Sequence, residues 1–223
     1  MIVTIDGPAG SGKSSTARAV AERLGFRHLD SGAFYRALTW AVLAAGIPLA
    51  EWAALSDVQL DALEVRGEPA ECGYRLFAGE REITEAIRSV AVNTHVSAIA
   101  ALPAVRTWLH GRLRAAARDA DLVADGRDMG TVVFPEADLK FFLVADATVR
   151  ARRRLLERGE DPAAPGLLRT EIERIEARDR ADSTRAVAPL RRADDAIDLD
   201  TTNLSFEQQV AIISERVRQS RQC

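Results

Sequence analysis

The chain has 223 residues, 47% apolar and 28% charged, which suits one α/β domain with a well-buried core. Its net charge of −3 argues against a general nucleic-acid-binding protein, which is normally basic. We find neither an apolar run long enough to span a bilayer nor the basic start and cleavage site of a signal peptide, so we expect a cytoplasmic protein that does not enter the membrane.

The start of the chain alternates strand and helix patterns. An apolar run at 2–6 ends at a glycine-rich turn and predicts a buried strand. Apolar residues at helical spacing predict a helix over 13–24, and a second short strand is predicted at 28–30. Ser31 is predicted to cap the next helix, which runs to about Ala45.

The middle of the chain has a different character. Within residues 48–90, the stretch 65–84 has short apolar runs joined by glycine-containing turns, which predicts a small β insertion. Residues 93–120 are predicted to be helical, with a break before Pro103. Cys72 and Cys223 are expected to be free thiols, because disulfides are rare in a reducing compartment.

The second half returns to alternation. Its predicted elements are strands at 122–125 and 139–144, a basic helix at 149–158 capped by Thr148, a loop at 159–166, a helix at 167–182, a strand at 196–200 and a helix that begins after Ser205. Strands that alternate with helices predict an α/β fold in which a parallel sheet is flanked by helices.

A phosphate-binding motif lies between the first strand and the first helix. Residues 7–14 read GPAGSGKS and fit the pattern GxxxxGK[ST] in the structural context that the motif requires. The glycines let backbone N–H groups face a phosphate, Lys13 reaches the β- and γ-phosphates, and the Ser14 hydroxyl coordinates Mg²⁺. The residues predicted to bind a nucleoside triphosphate here are Gly7, Pro8, Ala9, Gly10, Ser11, Gly12, Lys13, Ser14 and Ser15.

Two classes of phosphate-loop protein are disfavoured. A regulatory GTPase needs an NKxD-type guanine-reading sequence, but Asn93 and Asn203 are followed by Thr and Leu. A DNA-dependent motor ATPase usually needs a core larger than 223 residues provide. A small phosphotransferase is the class that remains.

Arginine and aspartate side chains cluster at the ends of the predicted strands. Asp30 to Arg36 follows the second strand, Asp125 to Asp128 follows the strand at 122–125, and residues 178–185 carry Arg178, Asp182 and Arg185 at roughly helical spacing. The basic helix adds Arg150, Arg153, Arg154 and Arg158. Arginine binds phosphate bidentately, so these clusters favour an acceptor that is itself anionic.

Five stretches carry a family resemblance that runs nearly end to end. They are IDGPAGSGKS (5–14), LDSGAFYRAL (29–38), ADGRDMGTVVFPEADLKFFL (124–143), ARDRADSTRAVAPL (177–190) and DDAIDLDTTNLS (194–205). The chain resembles the bacterial cytidylate kinases, which are phosphate-loop nucleoside monophosphate kinases. The resemblance implies a core (1–34, 101–149, 167–223), a monophosphate-binding insertion (35–100) and a lid (150–166).

The resemblance also implies residue roles. The residues that match the acceptor-binding positions are Ser31, Tyr35, Arg36, Ser97, Arg106, Arg127, Asp128, Arg178, Asp182 and Arg185. Arg154 and Arg158 fall near the lid, where the family supplies arginines to the donor phosphates. Lys13, Arg127, Arg154 and Arg185 are the side chains expected to act on the transferring group.

The implied reaction is Mg²⁺-dependent transfer from ATP to CMP or dCMP by a monomer. Because the acceptor is already an anionic oxygen, His28, His95 and His110 are expected to have no catalytic role. Asp125 either holds the water shell of the metal or is a buried structural aspartate. A kinase for UMP or a non-nucleotide acid, and a regulatory ATP-binding protein, stay open as alternatives.

Overall fold

The computed structural model describes residues 1–118 and 120–221. Its strands are β1 (Ile2–Asp6), β2 (Arg27–Asp30), β3 (Val65–Ala70), β4 (Gly73–Ala78), β5 (Arg81–Glu82), β6 (Leu122–Gly126), β7 (Leu139–Val144) and β8 (Ile197–Asp200). Its α-helices are α1 (Lys13–Leu24), α2 (Ser31–Ala44), α3 (Asp57–Ala62), α4 (Val90–Ala101), α5 (Pro103–Ala116), α6 (Ala147–Glu157), α7 (Leu167–Thr184) and α8 (Phe206–Ser220). Shorter helical turns cover Leu49–Ala54, Ala86–Arg88 and Met129–Val133.

A five-stranded parallel sheet forms the centre of the molecule, in the order β2-β6-β1-β7-β8. The five predicted strands and the α/β fold class are confirmed. β1 occupies the middle of the sheet, β2 forms one edge, β6 later fills the position between them, and β7 and β8 extend the sheet to the other edge. Such a reversal of direction opens a crevice at the carboxyl ends of the strands.

Helices cover both faces of the sheet. One face packs against α1 and α8 through Val20, Phe141 and Ile213, all nearly or completely buried. The other face packs against α2, α4 and α5 in a larger cluster that includes Leu38 and Trp108. Burial on both faces explains why the central strands are continuous apolar runs.

The predicted β insertion is confirmed as a separate antiparallel sheet in the order β3-β4-β5. Gly67 of β3 packs closely against the ring of Phe34 in α2. A Cβ atom added to this glycine would lie only 2.5 Å from the ring, so no larger residue fits there. The ring of Phe34 also meets Tyr74 edge-on, with 5.7 Å between centroids. The insertion is therefore held against the helix that follows β2.

The break before Pro103 is confirmed. Leu102 has extended backbone angles and separates α4 from α5, and Pro103 occupies the first turn of α5. The capping of α8 by Ser205 is also confirmed, as a capping box with Gln208.

Two predicted helix caps are wrong by one or two residues. The Asp30 side chain, and not Ser31, caps α2 by accepting the N–H of Ala33 at 3.0 Å. Asp146, and not Thr148, caps α6 by accepting the N–H of Thr148 at 2.8 Å. In both cases a carboxylate precedes the hydroxyl residue, and a carboxylate also suits the positive end of the helix dipole.

The described residues contain no helix long and apolar enough to cross a membrane. Cys72 is exposed and free, as predicted, whereas Cys223 lies outside the described residues.

Candidate active site

A cavity of about 900 Å³ opens at the carboxyl edge of the parallel sheet. The start of α1, the junction of β2 with α2, the turn after β6, the helix α7 and the insertion all contribute to its lining. The described lining residues include nine lysines and arginines and seven aspartates and glutamates. The residues that line the cavity therefore carry a net positive charge, although the chain as a whole is acidic.

The loop between β1 and α1 has the backbone of a phosphate-binding loop. Gly10 and Gly12 have φ angles of 74° and 87°, in the left-handed region that favours glycine. A Cβ atom added to Gly7 would lie 2.3 Å from the carbonyl oxygen of Leu143, so only glycine fits against β7 there. Among the described residues no side chain caps α1, so its N-terminal N–H groups are available to an anion.

Lys13 begins α1 and is buried, with 7% of its surface exposed. Its Nζ donates a hydrogen bond to the carbonyl of Pro8 at 3.3 Å. Burial, reinforced by the nearby cation of Arg127, lowers the pKa of Lys13 to about 7. A phosphate in the loop would favour the charged ammonium form.

Ser14, Asp125 and His28 form a buried hydrogen-bonded chain behind the loop. The Ser14 hydroxyl donates to one oxygen of Asp125 at 2.5 Å, and His28 Nε2 lies 2.8 Å from the other oxygen. Burial opposes charge on Asp125, but His28, Lys13 and Ser14 outweigh it and hold the pKa of this carboxyl below its usual range. Asp125 is thus buried as a structural aspartate would be, and it also reaches the phosphate loop.

The ten residues that resemble acceptor-binding positions meet in this one cavity. They are Ser31, Tyr35, Arg36, Ser97, Arg106, Arg127, Asp128, Arg178, Asp182 and Arg185, and all of them line it. They come from α2, α4, α5, the turn after β6 and the end of α7, which are far apart in sequence.

Asp128 is the centre of a buried charge cluster. Its carboxylate lies 2.5 Å from Arg106 Nη2, 3.1 Å from His110 Nε2 and 3.7 Å from Arg185 Nη2. Burial would raise the pKa of Asp128, but the hydrogen bond of His110 and the charge of Arg106 lower it below the usual range. Arg106 has 1% of its surface exposed, so Asp128 is the carboxylate that compensates its buried charge.

Asp182 is the second carboxylate among these arginines. It accepts a hydrogen bond from Arg127 Nε at 2.9 Å and lies 3.4 Å from Arg185 Nη1. Burial and the neighbouring cation of Arg127 lower the pKa of Arg178 to about 10. Arg178 is therefore a largely buried cation whose charge Asp182 offsets only in part.

The arginines of α6 and of the residue that follows it differ in whether they reach the cavity. Arg154 lines the cavity, with its Nε 3.4 Å from Glu171. Arg158 lies outside the cavity lining and pairs with Glu160 and Glu171 at 2.8 and 3.0 Å. Arg150 stabilises the phosphate loop, because its Nη1 donates a hydrogen bond to the carbonyl of Ala9 at 2.9 Å.

Arg153 is held by Thr201 and belongs to the same supporting layer as Arg150. Of the predicted donor residues, Gly10, Gly12, Lys13, Ser14 and Ser15 line the cavity, while Gly7, Pro8, Ala9 and Ser11 shape the loop beneath it.

The cavity also includes residues that the sequence did not single out. Arg88, at the end of a helical turn in the insertion, is one of them, together with Arg18, Thr84, Glu85 and Phe206. These residues lie outside the motifs, and a single arginine or aromatic residue in a sequence does not by itself indicate a binding site. His28 and His110 support cavity aspartates from behind, which agrees with a structural role, and His95 bonds to the carbonyl of Ala91 on its own helix.

Comparisons with known proteins show the family to which the sequence is similar. The sequence model of the family "Cytidylate kinase" matches residues 3–219. A cytidylate kinase of Limosilactobacillus fermentum is 44% identical over 220 residues, which cover 98% of this chain and 96% of the relative. A cytidylate kinase of Stutzerimonas stutzeri is 48% identical over 213 residues, which cover 93% of this chain and 90% of the relative.

Solved structures resemble the chain more distantly. An uncharacterized protein from Eubacterium ventriosum superimposes with a TM-score of 0.52 at 10% identity, over 98% of both chains. This similarity concerns the fold alone.

The charge cluster around Asp128 generates a stability prediction. Asp128→Asn leaves the buried charge of Arg106 without its carboxylate, so we expect a loss of about 3–5 kcal/mol in the free energy of unfolding. Asp182→Asn is the matched control, because Asp182 pairs with arginines that are more exposed, and its loss should be less than half as large. Urea unfolding at neutral pH measures both, and equal losses would contradict the central position of Asp128.

Proposed function

The chain belongs to the cytidylate kinase family, and on this basis we propose that it transfers the terminal phosphoryl group of ATP to CMP or dCMP. The observation that supports this most strongly is the sharing of one cavity by the phosphate loop and the ten residues of the acceptor set. A site for phosphoryl transfer must hold donor and acceptor side by side, because catalysis rests on positioning and charge stabilisation.

The donor side consists of the phosphate loop and α1. The backbone N–H groups of the loop and the positive end of α1 bind the β- and γ-phosphates. Lys13 lies where its ammonium group follows the transferring phosphoryl group, and its pKa rises once phosphate oxygens surround it. Arg154 is the lid arginine that we assign to the donor phosphates, because it lines the cavity.

The acceptor side consists of the arginines and aspartates opposite the loop. Arg36, Arg127 and Arg185 would bind the phosphate of CMP, with Tyr35 and Ser31 beside them. Asp128, which is ionised and held in place by Arg106, His110 and Arg185, accepts from the exocyclic amino group of cytosine.

Among the other acceptor residues, Ser97 would contact the base and Arg106 the phosphate, and Arg178 and Asp182 would lie near the ribose and base. A carboxylate that accepts from an amino group favours cytosine over uracil, which presents a carbonyl at that position.

The residues beside the loop fit a magnesium ion that arrives with the nucleotide. Ser14 Oγ and Asp125 Oδ2 are 2.5 Å apart and line the cavity, and Mg²⁺ prefers oxygen ligands while keeping several waters. Ser14 would bind the ion directly and Asp125 would hold its waters. When bound, Mg²⁺ neutralises charge on the donor phosphates.

The chain's own residues need to supply no general base. The attacking atom is an anionic phosphate oxygen, so alignment of the two nucleotides and stabilisation of the developing charge by Lys13, Arg127 and Arg185 carry the rate. Water competes as an acceptor, so we propose that the lid (150–166) and the insertion (35–100) close over the cavity before transfer. A cytoplasmic location and a monomeric state belong to the same proposal.

A coupled assay of ADP release tests the proposal against its alternatives. We expect turnover with CMP and dCMP to exceed turnover with UMP by at least about tenfold, and AMP and GMP to be poor acceptors. A preference for UMP would contradict the role given to Asp128. ADP release that no monophosphate stimulates would favour a non-nucleotide acceptor, and absence of turnover would favour a regulatory ATP-binding protein.

The pKa of Lys13 generates a second prediction. Near pH 7 the free enzyme is a mixture of charged and neutral Lys13, whereas phosphate favours the charged form, so Mg·ADP binding should take up a fraction of a proton. It follows that donor affinity declines as the pH rises above about 7. Calorimetry in buffers of different ionisation enthalpy measures the uptake.

The same protein near pH 5.5 is the control for this uptake, because Lys13 is then charged before the nucleotide binds. Binding at pH 7.5 with no proton uptake would show that Lys13 is already charged in the free enzyme.

A further inference from the structure

One large aromatic side chain lies exposed inside the cavity without an assigned role. Phe206 has 46% of its surface exposed and lines the same cavity as Ser15, Ala19 and Glu157. We propose that Phe206 is the residue on which the base of the donor nucleotide stacks. This inference rests on the proposed function, because it requires that a nucleoside triphosphate occupies the phosphate loop.

The position of Phe206 is fixed by the packing of α8 on α1. Phe206 is the first residue of α8, directly after the Ser205 capping box. Gln209, one turn further on, accepts a hydrogen bond from Thr16 Oγ1 at 3.1 Å, and Glu207 pairs with Arg23 at 3.1 Å. The beginning of α8 therefore lies alongside α1, just beyond the phosphate loop.

The direction of the donor nucleotide places its base at this end of the cavity. Its terminal phosphate must point toward Arg127 and the acceptor, and the nucleoside must leave the loop on the other side. Ser15 and Ala19 are four residues apart and share one face of α1, which lines the cavity together with Phe206. The cytosine-reading side chains Asp128 and Ser97 come from the turn after β6 and from α4, and α4 packs on the face of the sheet opposite to α1 and α8.

The chemistry of Phe206 determines what it recognises. A phenyl ring offers a flat apolar face and no hydrogen bond, so it stacks on any base and favours the larger purines. Phe206 would therefore strengthen binding of purine nucleoside triphosphates as a class, without choosing strictly between adenine and guanine.

Phe206→Ala and Phe206→Trp test the inference together. We expect Phe206→Ala to raise the KM for ATP and the Kd for ADP about tenfold, with the KM for CMP and the kcat within twofold of the starting values. Phe206→Trp should retain affinity, because indole also stacks. Losses with GTP should match those with ATP and should exceed those with CTP.

Ile212→Ala is the matched control. Ile212 lies on the same helix with 44% of its surface exposed, but it is outside the cavity lining of the described residues. We expect this variant to bind ADP with unchanged affinity. Equal losses in Phe206→Ala and Ile212→Ala would mean that only the stability of α8 was changed, and would overturn the proposal.

Direct calorimetry with ADP separates this inference from the proposed function. Unchanged ADP affinity in Phe206→Ala overturns the stacking role even if the enzyme phosphorylates CMP. A tenfold loss of ADP affinity supports stacking even if CMP proves not to be the acceptor. An equal loss in ADP and CMP affinity would indicate a general distortion of the cavity and would overturn the inference.

Discussion

The structure depends on a local excess of positive charge at the carboxyl edge of an acidic protein's sheet. Burial, reinforced by the neighbouring cation of Arg127, lowers the pKa of Lys13 to about 7 and the pKa of Arg178 to about 10. Carboxylates in the cavity compensate part of this charge, and phosphate groups would compensate the rest. The energetic cost of burying these cations close together thus favours the binding of anionic nucleotides.

Two buried aspartates make this arrangement possible. Asp125 and Asp128 lie at the end of β6 and in the turn after it, where the parallel sheet opens its crevice. Asp125 connects the phosphate loop to His28, and Asp128 connects Arg106 to Arg185. One short segment therefore orients side chains of both the phosphate loop and the arginine cluster.

Much of this organisation is readable in the sequence, because its signals are local. The central strands β1, β6 and β7 are mainly apolar, the phosphate loop is a contiguous motif, and the residues that we propose to bind the acceptor lie in dense motifs at strand and helix ends. The two wrong predictions concern helix caps. Asp30 and Asp146 cap α2 and α6 in place of the neighbouring Ser31 and Thr148, because either residue type can accept hydrogen bonds from the same N–H groups.

What the sequence did not reveal depends on contacts between distant segments. The pairing of His28 with Asp125 spans 97 residues and that of Arg158 with Glu171 spans a loop, so spacing alone gave no reason to expect either. Arg88 and Phe206 reach the cavity only because the insertion packs on α2 and α8 packs on α1.

We propose that the cavity binds two nucleotides through separate sets of residues. Calorimetric titration of Asp182→Ala with CMP and, separately, with ADP tests this most directly, because Asp182 contacts Arg127 and Arg185 on the acceptor side. We expect a loss of about tenfold or more in CMP affinity and a change of less than about twofold in ADP affinity. Equal losses for both nucleotides would contradict the division of the cavity into donor and acceptor sides.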